Sequence, residues 1–148
     1  MAQDARCASL YESVQTLRQR SKLLQARDAA FACASGACPK TLASDCSGWL
    51  GELEPAIPRV VFEARDERGS VLTDVSVSVD KKIVADRIDG RTIEIDPGEH
   101  SFRFRRSSGA FVEVKTVVIE GEKSRRVSAT FPTGALPATG GVGTLPLI

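Results

Sequence analysis

The stretch Ile95-Asp-Pro-Gly-Glu-His-Ser-Phe-Arg-Phe-Arg105 decides the fold of the second half of the chain. Its Asp-Pro-Gly is a turn signal, and the residues that follow alternate between polar and apolar, as in a half-buried strand. Alternation places Phe102 and Phe104 on the face that packs inward, and Arg103 and Arg105 on the face toward solvent. The stretch therefore predicts a sheet with one buried face.

Further alternating runs lie on both sides of this stretch, and turn residues separate them at intervals of about ten residues. Together they predict strands at 60–64, 75–79, 83–85, 92–95, 101–104, 111–119 and 126–131. About seven short strands within roughly 75 residues are typical of an antiparallel β-sandwich. We therefore predict such a sandwich over residues 59–131.

Before Pro58 the apolar spacing is helical. An apolar stripe at intervals of three and four residues predicts a first helix over about 4–20, and similar stripes predict a second over 22–34 and a third from Pro39 to the prolines at 55 and 58. The predicted fold class is thus α+β, with a small three-helix unit at 4–54 before the sandwich. Residues 132–148 are rich in Gly and Pro and carry no charge, which predicts a flexible linker or tail.

All four cysteines, Cys7, Cys33, Cys38 and Cys46, fall in the helical unit. Two disulfides would contribute on the order of 2–4 kcal/mol each to so small a unit and would imply an oxidising compartment. A bridge from Cys33 to Cys38 across the short loop is geometrically easy and leaves Cys7 for Cys46. We expect that pairing, because Cys38 and Cys46 on one helix would lie about 12 Å apart.

Two alternative roles for the cysteines stay open. A zinc site would use all four as ligands, although the 25, 4 and 7 intervening residues do not match the usual paired spacing. Four reduced, buried thiols in a cytosolic helical hairpin are the second alternative. Our expectation remains a disulfide-stapled unit that contains no metal and no cofactor.

Composition excludes several classes of protein. The chain has 148 residues, 42% of them hydrophobic and 26% charged, which is a normal globular balance rather than that of a disordered protein. A net charge of +1 gives no long-range field toward nucleic acid, and no apolar run is long enough to span a membrane. Most acyl-transfer and metal-hydrolase sites need a histidine beside a nucleophile or a second ligand, whereas we expect His100, the only histidine, to shape or border its turn, so we expect no enzyme.

Two groups of residues are candidate interaction surfaces. Arg103 and Arg105 could join Lys123 and Arg125 in a basic patch, provided that their strands are neighbours. Trp49 could lie in an apolar patch on the helices. The alternative for the basic group is a solvated sheet face, in which opposite charges on adjacent strands pair.

The residues Val77-Ser78-Val79-Asp80, Asp96-Pro97-Gly98-Glu99-His100-Ser101-Phe102 and Val117-Val118-Ile119-Glu120-Gly121-Glu122-Lys123 resemble a PEGA-type domain. The chain departs from that pattern at Lys81, where a Gly usually follows the Asp. The helical segment, from Tyr11 to Leu17 and from Ser21 to Arg27, resembles one tetratricopeptide-like hairpin, with Ser21 in place of the usual turn Gly. The combination resembles uncharacterised envelope proteins of myxobacteria.

The resemblance implies a structural or binding unit and carries over no catalytic residues. We therefore expect a non-enzymatic, extracytoplasmic scaffold or protein-interaction module of the bacterial envelope, in the periplasm or at the cell surface. The alternative is a module that binds glycan or peptidoglycan through the exposed sheet face or its loops. No charged-then-apolar segment precedes Asp4, and Met1-Ala2-Gln3-Asp4-Ala5 resembles the start of a mature secreted chain with a Met placed in front, so our hypothesis is that a leader peptide has been removed.

Overall fold

The structure is a computed structural model that describes residues 2–35 and 37–132. Three helices come first: α1 (Ala2–Gln19), α2 (Leu23–Cys33) and α3 (Lys40–Ala56). Seven strands follow: β1 (Arg59–Asp66), β2 (Val75–Val79), β3 (Lys82–Ala85), β4 (Thr92–Glu94), β5 (Gly98–Arg106), β6 (Phe111–Val118) and β7 (Arg125–Phe131). The predicted α+β class and the number of strands are confirmed. The predicted tail beyond Pro132 lies outside the described residues.

The chain divides into two compact units, and the boundary is not a single point in the sequence. The first unit takes the chain up to Pro58 together with Glu94–Gly98 and Ile119–Lys123. The second takes Arg59–Ile93, Glu99–Val118 and the chain from Ser124 onward. The helices therefore form a unit with two short segments that come from the second half of the sequence.

The core of the helical unit is formed by apolar residues of all three helices. The buried residues of this cluster are Val14, Leu23, Ala26, Ala29, Ala30, Leu53 and Ile57, and the disulfide cysteines Cys7, Cys33 and Cys46 are buried as well. The turn between α1 and α2 has the geometry of a Schellman motif, in which Lys22 N–H donates to Leu17 O (2.8 Å) and Ser21 N–H to Arg18 O (3.0 Å). Ser21 takes the left-handed conformation (φ 60°) that Gly usually fills, which explains how the helix ends without one.

The C-terminus of α3 is capped by a loop from the second half of the chain. Pro55 lies inside the helix, so α3 continues to Ala56, two residues past the predicted end of the helical unit at residue 54. Gly121 N–H donates to Ala56 O (2.8 Å), and Lys123 Nζ donates to the carbonyl oxygens of Glu54 and Ile57. A cation on the last carbonyls of a helix both satisfies them and complements the helix dipole.

A second segment anchors α2 at its beginning. The side chain of Asp96 accepts a hydrogen bond from Leu24 N–H (2.9 Å), one of the amides that a helix start leaves without an intrahelical partner. Arg27 Nη1 and Nη2 donate to the two carboxylate oxygens of Glu94 at 2.8 and 2.7 Å. These hydrogen bonds and this ion pair attach the segment of residues 94–98 to α2 within the helical unit.

The strands form one three-stranded sheet in the order β4-β1-β7 and one four-stranded sheet in the order β3-β2-β5-β6. β2 pairs antiparallel with both β3 and β5. The prediction of a wholly antiparallel arrangement is wrong at one pair, because β1 and β7 run parallel. The chain passes from the four-stranded to the three-stranded sheet between β6 and β7. β7 therefore pairs with β1, on the side opposite β4, and does not pair with β6.

The inward faces of both sheets follow the predicted alternation. Phe102 and Phe104 of β5 are fully buried, as are Val75 and Val77 of the neighbouring β2. The ring of Phe62, on β1 of the other sheet, lies 5.8 Å from each of the two β5 phenylalanine rings in edge-to-face geometry. These aromatic contacts link the two sheets in the core of the second unit.

Candidate functional site

The candidate site lies on the outward face of the four-stranded sheet and begins at the turn between β2 and β3. Val79 and Lys82 are register partners, so Asp80 and Lys81 form a two-residue hairpin turn. Both have positive φ (49° and 76°), as type I′ turns require, although neither is Gly or Asn. Left-handed backbone costs most side chains roughly 1–2 kcal/mol per residue, so neighbouring contacts must hold this turn.

The contacts that hold the turn come from the start of β5. Asp80 N–H donates to Ser101 O (2.8 Å), and Ser101 N–H donates to Asp80 Oδ1 (2.9 Å). His100 Nδ1 lies 2.7 Å from Asp80 Oδ2, where the ring nitrogen donates because an ionised carboxylate only accepts. His100 therefore contacts the turn between β2 and β3, which the sequence analysis did not predict. Partial burial alone would raise the pKa of Asp80, but the hydrogen bonds from Ser101 and His100 hold that pKa below its ordinary value.

The centre of the site is a cluster of two arginines, a carboxylate and a ring. Arg103 donates from Nε and Nη2 to Glu113 Oε2, at 2.9 and 2.5 Å. The guanidinium carbons of Arg103 and Arg105 lie 4.3 and 5.3 Å from the centre of the Phe111 ring. Cation–π contacts of this kind fix the guanidinium planes against the sheet. Arg105 is exposed, and this ring contact is its one described interaction.

These residues surround a half-open depression with a volume of about 540 Å³. That volume falls within the usual range of small-molecule sites. The depression contains hydroxyl, ammonium, guanidinium and carboxylate groups and one apolar side chain at its rim. Its lining residues are Ser78, Asp80, Lys81, Ile83, Ser101, Arg103, Arg105 and Glu113.

The structure brings together two of the four basic residues that the sequence grouped. Arg103 and Arg105 share the depression on β5, whose neighbours are β2 and β6. Arg125 lies on β7 of the three-stranded sheet, so the condition of neighbouring strands is not met for it. Lys123 caps α3 in the helical unit. The basic surface is therefore smaller than the predicted group and is centred on β5.

Trp49 packs on the helical core rather than forming an open apolar patch. Its ring centre lies 4.9 Å from that of Tyr11, whose hydroxyl donates to Asp45 Oδ2 (2.7 Å). This hydrogen bond raises the pKa of Tyr11. The most exposed large apolar side chain of the described helices is Phe31, which is 73% exposed and lines a shallow groove with Leu50 and Gly51. The sequence analysis did not single out Phe31.

All four cysteines form disulfides, which excludes them as zinc ligands or free thiols, but the pairing differs from the predicted one. The bridges are Cys7–Cys38 and Cys33–Cys46, not Cys33–Cys38 and Cys7–Cys46. In the hairpin of α2 and α3, Cys33 and Cys46 lie at nearly equal distances on either side of Pro39, so they face each other. Cys38 lies in a turn before α3 begins, where Cys38 N–H bonds Ser35 O, and this turn places it beside Cys7.

Other acidic and metal-binding combinations are weak candidates. Asp89 accepts from Arg91 at the backbone N–H (3.1 Å) and at Nε (2.8 Å), which lowers the pKa of Asp89 and engages it locally. Within the described residues, no group of three or more His, Cys, Asp or Glu side chains is arranged to hold a metal ion. No described helix is long and apolar enough to span a membrane.

Of the residues at this site, only Arg103 and Arg105 belonged to the predicted interaction surface; the residues that it missed are Ser78, Asp80, Lys81, Ile83, Ser101, Phe111 and Glu113. Alternation could have placed Phe111 on the outward face with Glu113, since Val112 between them is buried. The link between Asp80 and His100 depends on the pairing of β2 with β5, which a single sequence does not specify.

Comparison of the sequence with known protein families gives no match, and comparison with curated proteins gives none. The resemblance to PEGA-type and tetratricopeptide-like segments therefore stays a prediction. The assignment of the site rests on its geometry alone.

Proposed function

We propose that this chain is a non-enzymatic interaction module, a scaffold of the bacterial cell envelope that works outside the cytoplasm. Its second unit would be a β-sandwich of the PEGA type, and the four-stranded sheet would present the binding surface. The observation that carries the proposal is the outward face of β5, where Arg103 and Arg105 are fixed by Phe111 beside an open depression. A pre-organised polar surface loses less entropy when a partner binds.

The location is supported by the two disulfides. Disulfides persist in oxidising compartments and are rare in reducing ones, so the Cys7–Cys38 and Cys33–Cys46 bridges fit a periplasmic or cell-surface protein. They stabilise the helical unit, whose core is small. An envelope scaffold needs such resistance because its unfolded form would be exposed to proteases.

A second candidate function is glycan or peptidoglycan binding, which the depression specifically favours. Hydroxyl groups of Ser78 and Ser101, together with guanidinium groups above an aromatic ring, match the polar and planar groups that saccharides contact. A protein partner and a glycan would use the same face. The two candidate functions differ in whether a protein or a glycan binds to that face.

A photo-crosslinking side chain at position 83 tests the proposal in the envelope of the source bacterium. Ile83 is 66% exposed on the rim of the depression, and Val71, 64% exposed and outside the depression, gives a matched control position. We expect a protein adduct from position 83 and none from position 71. Co-sedimentation with purified peptidoglycan sacculi, without an adduct, would favour the glycan alternative. Neither adduct nor co-sedimentation would contradict both.

A further inference from the structure

The depression on the four-stranded sheet has an uneven charge distribution. Three of its lining residues are cationic (Lys81, Arg103 and Arg105) and two are carboxylates (Asp80 and Glu113). Asp80 is engaged by His100, and Glu113 by Arg103. Lys81 and Arg105 make no described contact with a carboxylate, so both retain the capacity to bind an anion.

These two cations lie at opposite ends of the depression. The turn that contains Lys81 is hydrogen-bonded to Ser101, whereas Arg105 is four residues further along β5. At about 3.4 Å per residue, the backbone at the two ends is separated by roughly 14 Å. Ser78, the register partner of Arg103, lies between the two ends, and Ser101 lies at the Lys81 end; the structure shows no hydrogen-bond partner for either hydroxyl.

We propose that this depression binds an acidic oligosaccharide, with one sugar carboxylate on Arg105 and another on Lys81. The inference rests on the glycan-binding candidate described above and names its ligand class. Guanidinium groups bind carboxylates through paired hydrogen bonds, and the serine hydroxyls between the cations would contact sugar hydroxyls. The backbone positions that carry the two cations are further apart than one sugar ring, which favours a ligand with acidic groups on more than one ring.

Charge density argues for carboxylates on a sugar rather than for a nucleic acid. Nucleic-acid binding surfaces neutralise several closely spaced phosphates with unpaired lysines and arginines. Here Arg103 is occupied by Glu113, and Asp80 lies beside Lys81. A polyanion with widely spaced charges fits this pattern. A polyanion with closely spaced charges would be repelled by the carboxylates of Asp80 and Glu113.

Because Arg103 is paired with Glu113, the proposal predicts that one substitution in the depression increases the affinity for the ligand. Glu113 competes with an incoming carboxylate for Arg103, so removal of its charge would free a third cation in the depression. Glu113→Gln should therefore raise the affinity for an acidic sugar by several-fold. A merely structural role of the pair would leave the affinity unchanged or lower it.

The test is calorimetric titration of the intact protein with a hyaluronan tetrasaccharide, which carries a carboxylate on every second ring, and with cellotetraose as a neutral probe of equal length. We expect binding of the acidic probe only. Arg105→Gln and Lys81→Gln should each weaken it by roughly tenfold. Arg68→Gln removes the same charge from an exposed turn outside the depression and should have no effect.

The inference would be overturned by absence of hyaluronan tetrasaccharide binding, by equal binding of cellotetraose, or by equal losses in Arg68→Gln and Arg105→Gln. A short single-stranded oligonucleotide that binds more tightly than the acidic sugar would also overturn it in favour of phosphate. Failure here leaves the crosslinking test of the interaction module unaffected, because that test asks only whether the face is occupied in the envelope.

Discussion

Asp80 Oδ2 lies 2.7 Å from His100 Nδ1, and this contact ties the left-handed turn after β2 to the beginning of β5. Asp80→Ala should lower the free energy of unfolding by about 1 kcal/mol, a modest value because the carboxylate is half exposed and screened by water. Asp86→Ala, at an exposed carboxylate without a described partner, should be neutral. Urea unfolding of both variants measures the difference, and equal midpoints would contradict it.

The contribution of Asp80 should also depend on pH. Because its pKa is lowered in the folded state, the unfolded chain takes up the proton first as the pH falls. The stabilisation is therefore fully present above the ordinary carboxyl value of about 3.9 and is lost as the pH falls through the lower folded value. Wild type and Asp80→Ala should converge in stability near the acid end of a pH series. A gap that widens on acidification would refute this account.

The positive φ of Lys81 predicts a stabilising substitution. Lys81→Gly removes the cost of a left-handed side chain and should raise the free energy of unfolding by up to about 1 kcal/mol. Lys82→Gly, one residue later in β3, should be destabilising because Gly weakens a strand. Thermal melts of the two variants should shift in opposite directions, and shifts of the same sign would count against the turn geometry.

This turn shows how far sequence reasoning reaches. Alternation located all seven strands because the period of two is imposed by one buried face, as with Phe102 and Phe104. It could not give the parallel pairing of β1 with β7, since a strand carries the same alternation in either direction. Alternation also does not specify which strands are neighbours. The contact of Asp80 with His100 was missed because it depends on the pairing of β2 with β5.

The cysteines show a different limit. Their clustering predicted disulfides in the helical unit, and both bridges lie there. The predicted pairing was wrong because it used the hairpin of α1 and α2 and the short loop, and did not consider that the hairpin of α2 and α3 sets Cys33 opposite Cys46. In a helical hairpin, cysteines at equal sequence distances on either side of the turn lie opposite each other. This criterion predicts their pairing better than the length of the loop between them.

The two disulfides should be reduced in sequence. Cys33 and Cys46 are fully buried, whereas Cys38 is partly exposed, so a thiolate can attack the Cys7–Cys38 bridge without unfolding the unit. Limited dithiothreitol followed by differential alkylation should label Cys7 and Cys38 first. Simultaneous labelling of all four, or earlier labelling of Cys33 and Cys46, would show that burial does not control access.

The stability gained from the ion pair of Arg27 with Glu94 should depend on the two terminal nitrogens of the guanidinium group, each of which donates to one carboxylate oxygen. Both terminal nitrogens of Arg27 are used, and its side chain is only 24% exposed. Arg27→Lys keeps the charge but loses one hydrogen bond, which should cost about 1 kcal/mol. Arg20→Lys, at an exposed arginine near the end of α1, is the control and should be neutral in the same urea titration. Equal stability of both variants would mean that charge alone suffices.

The most direct test of the central claim, an extracytoplasmic interaction module with a disulfide-stapled helical unit, is peptide mapping of the non-reduced protein isolated from its source organism under alkylating conditions. We predict the mass deficit of two disulfides, no alkylated thiol, and the pairs Cys7–Cys38 and Cys33–Cys46. Four alkylated thiols in protein isolated without reductant would contradict the proposed location. The pairs Cys33–Cys38 and Cys7–Cys46 would contradict the fold of the helical unit.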